Sequence, residues 1–175
     1  MLNYSKNKRL TLAALSAIAA ILATTPVQAL PGQSTNTVLK WVKSRPQLPT
    51  LEYGGETSTY FGTKGNLRFF VGTSFGKNVI SESIEVSNDS NLKFAQKNTK
   101  AVKLIEDIYD SNIANDFKNS RLVTKVGGQH FYQGQKFAYT ASDYQGGSGF
   151  EIIPVKNLQE AINSAKYCQT NQCDV

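Results

Sequence analysis

Few residues in this chain are of types that could do chemistry together. The stretch "GTSFG", from Gly72 to Gly76, fits the G-x-S-x-G spacing of a serine nucleophile elbow with Ser74 as the attacking hydroxyl. That motif works where a buried strand turns sharply into a helix and lifts the hydroxyl beside a base. Here "KNVISESIEV" follows, which alternates like a strand, so a hairpin turn is the plainer account of the two glycines. A small serine hydrolase would have to use His130 as its base, because it is the only histidine in the chain. One imidazole does not make the multi-histidine site of a catalytic zinc. In "GGQHFYQG" it lies on a strand near a turn, where a hydrogen-bonded structural role is expected.

The two cysteines, Cys168 and Cys173, sit together in the terminal "YCQTNQCDV". Their spacing is not the C-x-x-C of a thiol oxidoreductase, and no second histidine completes a zinc set. In an oxidising compartment an even pair predicts an intramolecular disulfide that staples residues 168–175 after the last helix. A loop this short would contribute roughly 2 kcal/mol if it packs on the fold.

Weaker signals surround these. Glu106, Asp107 and Asp110 form an acidic cluster on one predicted helix, without the loop of converging oxygens that calcium prefers. The glycines of "YQGGSG" lead into a strand rather than the helix N-terminus that a phosphate site needs. Lys93, Lys97, Lys100 and Lys103 read as one solvated face leading into a helix rather than a nucleic-acid stripe. No metal or cofactor is implied, and no nucleic-acid partner. Tyr60, Tyr132, Tyr139 and Tyr144, with Tyr53, lie on predicted strands; on an uncovered sheet face they would form an amphipathic binding surface, and beneath helices they would be core.

The elements that must position these residues follow from periodicity. Residues 1–29 read as a cleavable secretory signal: Lys6, Lys8 and Arg9, then the 13-residue apolar run Leu10 to Leu22, then small residues Val27 and Ala29. Such a run is shorter than the roughly 20 residues of a membrane span, so export without stable membrane insertion is expected. Past residue 29 sixteen bases face thirteen acids, leaving a net charge of +3 in place of +6, too dispersed to dictate a polyanionic partner.

Residues 30–167 read as one α+β domain. Val38, Trp41 and Val42 space a short helix capped by Ser34 or Thr35. Strands follow, including "VISESIEVS", whose alternation puts Ile80, Ile84 and Val86 on one side, with Glu82 intruding among them. A second helix begins at Asn98 or Thr99 and breaks near Ser111 and Asn112. More strands end at "FEIIPV", and a last helix starts from a capping box of Asn157 and Glu160. The expected order is α-βββ-α-βββ-α, a mostly antiparallel sheet of about five to six strands with helices on one face. This organisation suits an exported non-catalytic module that binds a protein or an envelope polymer through its sheet face, or a structural or assembly subunit.

Overall fold

Two four-stranded meanders meet strand to strand and make one antiparallel sheet. The structure, a computed structural model, describes residues 30–55, 58–74 and 76–171. The first meander is β1 (Glu52–Tyr53), β2 (Thr59–Lys64), β3 (Leu67–Ser74) and β4 (Asn78–Ser87). The second is β5 (Arg121–Val126), β6 (Gln129–Gln133), β7 (Phe137–Tyr144) and β8 (Gly147–Pro154). Their last strands pair, giving the order β1-β2-β3-β4-β8-β7-β6-β5. The α+β class and antiparallel sheet are as the periodicity indicates, but eight strands and four helices replace five to six and three. The shortfall arises because β1 is only two residues long and because the helix expected from Asn98 is two, α2 and α3.

Helix α1 (Thr35–Lys43) is capped by the Ser34 hydroxyl and buries Val38, Trp41 and Val42 against the first meander. Helices α2 (Thr99–Ile108) and α3 (Ser111–Asn119) carry the chain from β4, at the centre of the sheet, to β5 at its edge. On the same face as α1, α2 lies over β3 and β4, where Tyr109 at its end packs on Phe69, and α3 covers the second meander: Phe117 packs its ring edge-on to Tyr132, Tyr139 and Phe150, at 5.9, 5.3 and 4.9 Å. The helix breaks earlier than expected, at Tyr109 and Asp110, because the Asp110 carboxylate accepts from the Ile113 amide at 2.9 Å and starts α3. Asp110 is therefore a cap and does not share a helix face with Glu106.

The last helix, α4 (Leu158–Asn171), goes to the opposite face. Leu158 and Ile162 pack on Val126, Phe131, Ala138 and Ile153, the outward residues of the second meander. The chain enters α4 through a 3-10 turn, Val155–Asn157, so Asn157 closes that turn instead of standing as a free cap. The helix runs on through Cys168, which is half-buried, and its partner in the expected disulfide, Cys173, lies outside the described residues, as does the signal stretch 1–29.

The second meander is covered by α3 on one face and, over part of the other, by α4. The first is covered by α1 and α2 on one face only, and among the described residues no helix lies on the other face of β2, β3, β4 and the adjoining part of β8. Among the described residues no helix is long and apolar enough to cross a membrane.

Candidate functional site: the open sheet face

Strand alternation decides what the open face presents. In "NLRFFVGT" Phe69 and Val71 point into the core, so Arg68 and Phe70 must point out. Phe70 is paired across β2 with Phe61, which is 41% exposed. The Arg68 guanidinium sits 5.0 Å above the Phe70 ring and 3.0 Å from the Glu85 carboxylate on β4. Tyr144, at the end of β7 and 47% exposed, lies near the same Arg68 and Glu85 charges, which pull its hydroxyl in opposite directions while partial burial pushes its pKa up. Gly147 is opposite Tyr144 in the ladder; a Cβ there would fall 2.7 Å from the tyrosine ring, so glycine lets that ring lie flat on the sheet.

Beside this aromatic and arginine strip runs a row of hydroxyls around one carboxyl. Ser83, Glu151 and Thr140 are direct neighbours across β4, β8 and β7. Thr140 donates to Glu151 at 3.2 Å. Burial pushes the Glu151 carboxyl up from its ordinary range, against the hydrogen bonds from Ser81 and Thr140 that favour its charged form. The arrangement can hydrogen-bond and can stack, and among the described residues it brings no imidazole or cysteine to the carboxyl.

The expected tyrosine surface divides. Tyr144 is on the open face. Tyr132 and Tyr139 are in the core beneath α3, because the register puts both on the helix-covered side with Ile152 and Ala141. Their hydroxyls are taken up internally: Tyr139 donates to Asp116 at 2.6 Å and Tyr132 to the Ala95 carbonyl at 2.6 Å. Asp116 pushes the Tyr139 pKa up, after burial, and its oxygens also accept from the amide of Gln135 at 2.8 Å. Tyr60 lies on the covered side near the edge, packed on Tyr53 at 5.0 Å between ring centroids.

Ser74 and His130 do not meet. Ser74 ends β3 in the hairpin to β4, where Lys77 N–H donates to the Ser74 carbonyl and Gly76 takes φ +72°, so the "GTSFG" glycine serves a turn; Phe75 within it is outside the described residues. His130 is on β6, four strand spacings away, roughly 19 Å sideways, and its row crosses β3 at Phe69, a further roughly 17 Å along the strand. Its Nδ1 lies 3.1 Å from the Ala95 carbonyl and 3.2 Å from the Tyr132 hydroxyl, which ties down the loop between β4 and α2. The serine-hydrolase pairing is thereby excluded by topology.

The lysine series also divides. Lys100 and Lys103 are exposed and paired with Asp89 and Asp107. Lys97 is not on that solvated face: its ammonium lies 4.2 Å over the Tyr132 ring and donates to the Ser120 carbonyl and hydroxyl, both at 2.7 Å, capping the C-terminus of α3. Burial pushes its pKa down to about 8. Among the described residues no group of three or more His, Cys, Asp and Glu side chains gathers to hold a metal ion.

The residues that matter most on the open face, Phe61, Arg68, Phe70, Glu85 and Glu151, carry a sequence signal that a search for tyrosines passes over. Two adjacent phenylalanines in one strand force one ring outward, and "FEII" forces its glutamate to the face opposite Phe150 and Ile152. Compared with known proteins, the chain matches no family model, no curated protein and no solved structure, so this geometry is what bears on function.

Proposed function

We propose that the protein is a non-catalytic, exported module that binds another protein through the open face of β2, β3, β4 and β8. The observation that carries this reading is the continuous strip of Phe61, Phe70, Arg68, Glu85 and Tyr144 on a face that no helix covers among the described residues. Aromatic rings and arginine are the side chains enriched at protein interfaces, where they supply large contact area for little lost rotamer freedom. The hydroxyl row beside them offers a hydrogen-bonding rim. Export rests on the residue pattern of the first 29 positions, and the Cys168–Cys173 disulfide belongs to the same reading.

The test is a pull-down from native envelope extract with the protein, the double variant Phe61→Ser/Tyr144→Ser, and Tyr167→Ser as an exposed-aromatic control on α4. A protein retained by the parent and the control but lost by the double variant is the expected result. Equal recovery by all three would overturn the reading, as would retention of polysaccharide with no protein.

A further inference from the structure

On the helix-covered side, the first meander is not fully sealed. Between α2 and the ends of β3 and β4 lies a groove of about 870 Å³, within the roughly 300–1,000 Å³ usual for small-molecule sites. Its floor is apolar: Leu67 and Val86 from the sheet, Leu104 and Ile108 from α2. Beside the groove the end of α2 joins α1 through the stacked rings of Tyr109 and Trp41, 5.7 Å apart. Leu67 and Leu104, on either side of the opening, are left half-buried.

The rim is charged, and all but one of its lysines are paired with carboxylates. Lys64, Lys100 and Lys103 stand around the mouth against the carboxylates of Asp89 and Asp107. Two of the ammonium groups are paired, Lys100 with Asp89 at 2.6 Å and Lys103 with Asp107 at 2.5 Å and Glu106 at 3.4 Å. The third, Lys64, donates to the Pro46 carbonyl, which satisfies a hydrogen bond without neutralising its charge. An occupant should therefore match an apolar floor with its body and one uncompensated cation with its head. We infer that this groove is a binding site for a single-chain amphipathic carboxylate, with the acyl chain on Leu67, Val86, Leu104 and Ile108 and the carboxylate at Lys64.

Decanoate and decanol serve as probes in isothermal titration of the protein, since they share a chain and differ in charge. Saturable decanoate binding is expected, weakened about five- to tenfold by Lys64→Glu while decanol binding stays within about twofold, and both ligands weakened by Leu104→Gln. Thermal melts verify that the variants fold; Lys64 is exposed, so its variant keeps the test decisive if Leu104→Gln does not. No saturable decanoate binding, decanoate affinity unmoved by Lys64→Glu, or binding unmoved by a folded Leu104→Gln would each overturn the assignment. The groove and the open face lie on opposite sides of the sheet, so loss of one activity leaves the other measurable.

Discussion

Glu82 is the residue at which local pattern and tertiary environment conflict most sharply. It alternates with Ile84 and Val86 on β4, so the strand delivers a carboxyl into a core of Val71, Ile152 and Tyr109, fully buried. Neither oxygen meets a partner at full hydrogen-bond geometry; the Tyr109 hydroxyl eases the shift, but burial dominates and pushes the pKa up to about 8. The group is therefore mostly protonated at pH 7. Below pH 4.5 the folded and unfolded chains both hold this proton and no penalty arises. As pH rises the unfolded chain ionises first, so stability falls between about 4.5 and about 8 and is flat beyond, with roughly 3 kcal/mol lost by pH 7. Glu82→Leu should remove this dependence and raise the urea midpoint more at pH 8 than at pH 5. An unchanged slope between those pH values in the variant would count against Glu82 as its source.

At the scale of elements, short polar side chains decide where helices begin and where the chain turns back. The pattern Ala101, Ile105, Ile108 continues smoothly into Ile113 and Phe117 only if a kink is inserted, and Asp110 inserts it by capping α3. Asp110→Ala should cost about 1 kcal/mol, read as a shift in the urea midpoint, and Asp110→Asn should recover most of it. A substitution without effect would mean that the Tyr109 backbone, and not the cap, sets the break. Ile80 shows the same dependence on local geometry. Simple alternation puts it inside with Glu82, Ile84 and Val86, but a β-bulge, with Gly72 paired to Ser81 and Thr73 to Val79, turns it outward and sends Val79 in. Gly62 marks a third such point: a Cβ there would fall 2.1 Å from the Thr50 carbonyl oxygen, so only glycine lets the segment after α1 cross β2 this closely.

At the scale of the whole molecule, the pairing of β4 with β8 makes two meanders into one core. Phe150 stands at that seam, buried against Phe94, Phe117 and Tyr139 at 5.3, 4.9 and 5.7 Å. Phe150→Ala should cost about 3–5 kcal/mol and lower a single thermal transition, because both halves share the cavity it leaves. Two separated transitions would show instead that the halves unfold independently. The exposed edge strand β5 carries Leu122 and Val123, both at least 40% exposed, flanked by Arg121 and Lys125 and interrupted by a bulge, features that discourage edge-to-edge pairing with another sheet.

The sequence by itself determined the α+β class, the antiparallel hairpins, the apolar faces of α1 and α2 and the turn role of "GTSFG", because these rest on periodicity and turn chemistry within a dozen residues. It also carried the outward turn of one phenylalanine in "RFF". It did not determine which face of the sheet each hairpin buried. That depends on α2 and α3 crossing from β4 to β5 on one side and α4 returning on the other, a long-range arrangement that no local pattern encodes. For that reason Tyr132 and Tyr139 became core and Tyr144 surface, Ser74 and His130 ended on distant strands, and the open face and the lysine-rimmed groove emerged only once the helices were in place.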